Sequence, residues 1–456
     1  MEQFVKRSAS VLASDRFFFP PSLKTIPVDG QVIFLSPATG NWLVVESEDL
    51  PLLEKLVAGD TIGVVLASLG SGVLPRLKAL LAQVAVRQFA FTNAPPVPKH
   101  DGSVKGAYFY LTNACNLHCS HCYMFSGKAE AQELSADEWI KVVDEFAGVG
   151  GTSITFSGGE VLAKKGWFRV LERAYQRGIS STILTNGTLW SSDQINAAAQ
   201  YIAEVQISLD GPTESTNART RGPEAFHKAI TTAKLFAAAG VRTSVAMTPT
   251  LDTIDIFEEG FRAFFENEIA GSGINIRISH KLLPGRSVSA LKDEEKVYYR
   301  KIAQKLADII YPQSKIRAFS LEHPPNEIHM NCGFGGASIS STGDIYPCNR
   351  TGDVRSLGNV RYQALKDLFL LLAAAEQSTN VDEITPCKWC DLRYVCGGGC
   401  RIDDYYVQLP NNERESFRNA IVEKSSVKKD VCTEDYRQSL LKQMVGIKTY
   451  HYSIDE

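Results

Sequence analysis

At 456 residues the chain is long enough for two or three domains, and with 44% hydrophobic and 22% charged residues it has the composition of a folded globular protein. Its 48 Lys and Arg against 51 Asp and Glu leave a net charge of −3, which argues against a partner held mainly through phosphates. No apolar run reaches membrane-spanning length, and the N-terminus, MEQFVKRSASVLASDRFFFPP, lacks the apolar core and cleavage site of a signal peptide. A cytoplasmic protein with no membrane and no nucleic-acid partner is expected.

Residues 1–95 read as a small separate domain. Strand patterns QVIFLS (31–36) and NWLVVE (41–46) flank the turn sequence PATG, and helical spacings continue near 48–57, 60–69 and 75–86. The aperiodic NAPPVPKHDGS (93–103) is the expected linker. Over 105–312, strands alternate with amphipathic helices. The strands are GAYFYLT, SITFSGG, SSTILTNG, EVQISLDG, RTSVAMTPT and INIRISH, and helices such as WFRVLERAYQRG end at Gly. Six βα repeats predict an α/β fold, a partial (β/α)6 TIM-like barrel whose chemistry sits at the C-terminal ends of its strands. A helix near 292–311 closes this zone. Residues 313–456 are loop-rich, with one helix near 363–375, and need some other source of cohesion, such as metal.

Ten cysteines make the sharpest signal, and clustered cysteines in a reducing compartment more often bind metal than pair as disulfides. The first group reads Cys115-Asn-Leu-His-Cys119-Ser-His-Cys122-Tyr123, directly after the first barrel strand. Three thiolates on one loop can hold three irons of a [4Fe–4S] cube and leave the fourth iron open. Zinc is the competing reading, with His118 or His121 as a fourth ligand.

This CxxxCxxC loop resembles that of the radical S-adenosylmethionine (SAM) superfamily. The resemblance spans roughly 105–290 and rests also on motifs at successive strand ends: Ser157-Gly158-Gly159-Glu160, Thr185-Asn186-Gly187-Thr188 and Ser208-Leu209-Asp210-Gly211. It implies that S-adenosyl-L-methionine chelates the open iron and is cleaved to a 5′-deoxyadenosyl radical. It also implies cofactor contacts by Tyr123, Ser157, Gly158, Gly159, Glu160, Thr185, Asn186, Ser208, Asp210 and Arg221. Glycines let backbone approach a ligand, and the Glu160 carboxylate suits the methionyl ammonium. Arg221 is the implied partner of the methionyl carboxylate. Where relatives have His and Asp, this chain has Asn217 and Ala218, so no role carries over to those positions.

The other seven cysteines, Cys332, Cys348, Cys387, Cys390, Cys396, Cys400 and Cys432, are similar in spacing to the SPASM extension of peptide- and protein-modifying radical enzymes. That resemblance implies two auxiliary [4Fe–4S] clusters, three in all. The distal one takes Cys387, Cys390, Cys396 and Cys432, and the proximal one Cys332, Cys348 and Cys400. Asn326 stands where some relatives supply an eighth Cys, which leaves an open iron or a ligand from His323, Glu327 or His329. A zinc ribbon would use four of the seven.

Residues 1–95 resemble the winged-helix-like peptide-recognition domain that precedes many such enzymes; a cap over the next domain is the competing reading. The function implied is a maturase that installs an oxidative cross-link in a ribosomally made precursor peptide. The N-terminal domain would bind the peptide's leader, and a flavodoxin or ferredoxin would donate electrons. No residue is singled out as the catalytic base. A sulfatase-type formylglycine-generating maturase is the runner-up, disfavoured because Asn349 stands where those relatives have Asp, and Asn takes no proton at neutral pH. The full set of strand-end motifs weighs against a non-catalytic iron–sulfur scaffold or redox sensor. The lack of a basic run weighs against a tRNA modifier.

Overall fold

A computed structural model of the chain describes residues 12–86, 89–91, 106–310, 330–408, 413–416, 427–429 and 432–451. The linker at 93–103 and the residues His323, Asn326, Glu327 and His329 lie outside them. The chain divides into two compact units: Met1–Asp101 with Gln313–Cys332 and Ser378–Glu456, and Gly102–Pro312 with Gly333–Gln377. This division crosses the three zones expected from sequence.

In the first unit, β1 (Lys24–Val28), β2 (Gln31–Leu35) and β3 (Trp42–Glu46) form an antiparallel sheet, followed by α1 (Leu50–Val57), α2 (Ile62–Leu69) and α3 (Leu74–Val86). The three helices fall where their spacing predicts. β1 escapes sequence reading because KTIPV is weakly apolar and carries a Pro, which an edge strand tolerates.

Alternate residues of a strand face opposite sides. Here Val32, Phe34, Leu43 and Val45 pack on the helices, through Leu53, Leu56 and Leu77. Ile33, Leu35 and Val44 face the other way, onto Leu392, Leu441 and Met444 from the C-terminal part of the chain. Burial on both faces explains why β2 and β3 read as unbroken apolar runs.

The second unit is built on six consecutive parallel strands: β4 (Gly106–Tyr110), β5 (Ser153–Ser157), β6 (Ser180–Thr185), β7 (Glu204–Ser208), β8 (Arg242–Met247) and β9 (Asn275–Ile278). Between them run α4 (Ala136–Gly148), α5 (Trp167–Gln176), α6 (Ser192–Ala198), α7 (Glu214–Arg221), α8 (Ala225–Ala238) and α9 (Ile254–Phe264), and α10 (Asp293–Ile310) follows β9. The α/β partial-barrel expectation holds. Register pairs Phe109 with Phe156 and Ile183 with Val205. Phe109, Phe156, Ile183, Ile207, Val245 and Met247 form a continuous core with Trp139 and Phe236 on the helices. Their strand neighbours Leu184, Gln206, Ser208 and Ala246 line a cavity instead. One period-two alternation thus separates packing from site.

The sheet extends beyond β4 with β10 (Ala337–Ile339), parallel to it, then β11 (Asp344–Tyr346) and β12 (Gly358–Asn359). α11 (Leu365–Ser378) follows. Back in the first unit, α12 (Arg393–Cys396), β13 (Tyr405–Gln408), β14 (Arg414–Ser416), β15 (Val427–Lys429) and α13 (Glu434–His451) carry or flank the remaining cysteines. Among the described residues no single helix is long and apolar enough to cross a membrane.

Candidate active site

A cavity of about 360 Å³ opens at the C-terminal ends of β4 to β9. Its wall brings together Cys115, Cys119, Cys122, Tyr123, Ser157, Gly158, Gly159, Thr185, Asn186, Ser208 and Arg221. A fold that sets strand ends side by side gathers residues 115 to 221 that sequence could only place one by one.

Two expected contacts stand behind that wall. Glu160, 1% exposed, accepts hydrogen bonds from Thr185 Oγ1 (2.7 Å) and the Asn186 amide (2.8 Å), and burial pushes its carboxyl up from the ordinary value. Asp210, with no exposure, accepts from the Thr248 amide (2.9 Å) and lies 2.6 Å from Arg221 Nε and 3.2 Å from His121 Nε2. Both carboxylates hold wall residues in place.

The glycines serve a close approach of backbones. A Cβ on Gly159 would sit 2.4 Å from the carbonyl oxygen of Ala114, and one on Gly158 would sit 2.3 Å from that of Thr112. Gly159 donates its amide to the Thr112 carbonyl at 2.7 Å and Glu160 donates to that of Ala114 at 2.9 Å, stitching the β5 tip to the root of the cysteine loop.

That loop is held from several sides. Glu133 accepts from the Thr112 hydroxyl (2.8 Å) and the Asn113 amide (2.7 Å). Arg286, which no sequence motif marks, donates to the Cys119 carbonyl (2.8 Å) and to that of Ser126. The Ser287 amide reaches the Ser120 carbonyl at 2.7 Å. Buried Asn217, left without a role by sequence, accepts the Asp210 amide through Oδ1 (2.9 Å) and so fixes the β7 tip.

Burial pushes the Cys115 and Cys119 thiols up, and the Arg221 guanidinium counters this at Cys119. Arg221 Nη1 lies 3.9 Å from Cys119 Sγ and Asn186 Nδ2 lies 3.8 Å from Cys115 Sγ, donors suited to sulfur carrying negative charge. Among the described residues no three His, Cys, Asp or Glu side chains already converge on one metal position. His121, offered by sequence as a fourth zinc ligand, has its Nε2 beside Asp210. Three thiols on one wall, facing open volume, fit a cluster that keeps one position for a second ligand.

No disulfide joins the ten cysteines. In the first unit Tyr405 lies beside Cys387 and Cys396, and Tyr436 beside Cys396 and Cys432. Two of the four expected distal ligands each touch a tyrosine hydroxyl, at 3.3 Å from Cys387 to Tyr405 and 3.2 Å from Cys396 to Tyr436. Cys390 contributes to the apolar cluster under the N-terminal sheet. Cys332 is exposed, and Cys348 follows β11 next to Asn349, whose carbonyl accepts the Tyr110 hydroxyl at 2.7 Å.

Residues 109–261 match the model of the Radical SAM superfamily. The chain is 36% identical over 140 residues to the sporulation killing factor maturation protein SkfB of Bacillus subtilis, covering 30% of this chain and 34% of that protein. It is 25% identical to an AdoMet-dependent heme synthase of Nitratidesulfovibrio vulgaris over 65% of this chain and 86% of that one. The fold is similar to that of Streptococcus suis SuiB bound to precursor peptide SuiA, with TM-score 0.50 and 15% identity over 84% of this chain and 95% of that one. The strand-end motifs fall within or beside the matched segment, and residues 109–261 are a Radical SAM domain.

Proposed function

We propose that the protein is a radical SAM peptide maturase that takes a hydrogen atom from a ribosomally made precursor peptide and leaves an oxidative intramolecular cross-link, carbon–carbon, ether or thioether. The observation that carries this reading is the shared cavity wall, on which three thiols meet the tips of five further strands. Cys115, Cys119 and Cys122 would hold a [4Fe–4S] cluster; the Ser157–Gly159 backbone, Asn186, Ser208 and Arg221 would bind S-adenosylmethionine, with Tyr123 at the rim. Bound there, cluster and cofactor supply a 5′-deoxyadenosyl radical. Glu160 and Asp210 orient Asn186 and Arg221 from behind.

In the C-terminal region, Cys387, Cys390, Cys396 and Cys432 would hold one auxiliary cluster, and Cys332, Cys348 and Cys400 another. One of these clusters would accept the surplus electron of cross-linking, with a flavodoxin or ferredoxin as external donor. The sequence is 36% identical to the maturation protein SkfB over 140 residues against 25% to the heme synthase, which supports a peptide over a porphyrin. The N-terminal sheet would bind the leader by strand addition at its edge, where main-chain hydrogen bonds need no long consensus. Ten cysteines held as free thiols support a cytoplasmic setting.

Anaerobically reconstituted protein should carry about 12 irons per chain. With S-adenosylmethionine and a reductant it should release 5′-deoxyadenosine. A precursor peptide encoded beside its gene should lose two hydrogens per cross-link by mass. Deoxyadenosine release with every such peptide unchanged would overturn the peptide reading alone; zinc with little iron would overturn the whole.

A further inference from the structure

Arg401 is the second-largest fully buried side chain among the described residues, and it directly follows Cys400. Four N–H bonds of its guanidinium end on backbone carbonyls: Thr379 (2.7 Å), Gly397 (3.0 Å), Gly399 (2.6 Å) and Met330 (3.2 Å). The Gly397–Gly399 run between Cys396 and Cys400 adopts positive φ throughout, at +63°, +83° and +80°. This left-handed path, which suits glycine, turns the loop's carbonyls inward. The middle one, from Gly398, accepts the hydroxyl of Tyr405, whose ring lies 5.1 Å from the guanidinium. A Cβ on Gly398 would come within 2.9 Å of Arg401 Nη1.

No carboxylate forms an ion pair with Arg401 among the described residues. Burying a cation without an acid is costly even when dipoles solvate it, and a neutral side chain would brace a loop at lower cost. The Asp404 carboxylate, three residues on, accepts the Cys400 amide at 2.9 Å, and the thiols of Cys396 and Cys400 stand on either side of the glycine run. Through the Met330 carbonyl the same guanidinium also reaches the segment that leads to Cys332.

We infer that Arg401 is the built-in counter-cation of the C-terminal iron–sulfur centres, a positioning residue whose charge balances the thiolates of Cys396 and Cys400 and favours the more reduced, more negative cluster. This rests on reading the C-terminal cysteines as ligands of auxiliary clusters.

The test uses the full chain with Cys115, Cys119 and Cys122 replaced by Ala, so that remaining iron belongs to the auxiliary centres. Iron per chain and reduction potential, followed by EPR, are compared with Arg401→Gln and Arg401→Lys. Gln keeps an N–H donor without charge; Lys keeps charge without the planar fork. Arg401→Gln that retains iron should move the potential to more negative values by at least about tenfold in the reduction equilibrium, about 59 mV for one electron. If Gln loses iron while Lys keeps it, charge is again the requirement. An unmoved potential in iron-loaded Arg401→Gln, or equal iron loss in both variants, would overturn the inference. A background chain with no iron would instead sink the auxiliary-cluster reading beneath it.

Discussion

The carboxylate of Asp210 lies 2.6 Å from Nε of Arg221, with side chains 0% and 11% exposed, and the same guanidinium stands 3.9 Å from the sulfur of Cys119. A buried ion pair thus sits one contact from a cysteine of the first loop. Removing one member of such a pair leaves the other uncompensated, at a cost of about 3–5 kcal/mol. Asp210→Asn keeps the shape and an acceptor for the Thr248 amide, so its loss of stability should come from charge. Denaturant unfolding measures it; an unchanged midpoint would mean the pair contributes nothing.

Gly159→Ala puts a methyl 2.4 Å from one carbonyl oxygen and 2.7 Å from another, both on the cysteine loop's own backbone. Neither can rotate away, so the loop must shift. A stability loss of about 1–3 kcal/mol is expected from the overpacking, with a fall in iron held by the first centre. Normal iron content and normal deoxyadenosine release would refute this.

Arg286→Ala should act on the loop alone. It removes the charged donors to the Cys119 and Ser126 carbonyls, each contact worth about 1.5–3 kcal/mol. Iron in the first centre should become labile to chelators while the auxiliary centres stay as in the parent, which iron release followed by EPR can resolve.

Glu138 caps α4 and pairs with Arg361, whose hydrogen bond pushes the carboxyl from 4.5 down to about 2. A depressed carboxylate stabilises the fold above its unfolded value, and that contribution disappears as pH falls from about 4.5 to about 2. The group is partly exposed, so the effect should stay below about 1 kcal/mol. The stability gap between the parent and Glu138→Gln should therefore close on acidification through this window and be flat above it. A gap that persists at low pH would assign the effect to packing.

Deleting residues 1–95 should fail to give a well-folded chain. Ile33, Leu35 and Val44, at 0%, 0% and 2% exposure, cover Leu392, Leu441 and Met444, and each is worth about 1.5–3 kcal/mol of burial. Leader binding is therefore best measured on the full chain, by anisotropy of a labelled leader peptide. A soluble truncation with full iron content would show instead that the N-terminal sheet is detachable.

The sequence by itself determined the six βα repeats, the cysteine spacings and the polar tips of successive strands, because periodicity and spacing are local and each motif is continuous in the chain. It also placed α1 to α3 and the helix at 365–378 closely. Tertiary structure decided what stands on the cavity wall and what stands behind it: Glu160 and Asp210 carry the expected chemistry but face wall residues. Arg286 lies 167 residues from the carbonyl it holds, and no local pattern announces such a contact. The same limit hid β10, a three-residue strand whose partner is β4, and the pairing of the N-terminal sheet with Leu392 and α13. Unbroken apolar runs in β2 and β3 reveal burial on two faces, but only the fold says which distant segment supplies the second cover.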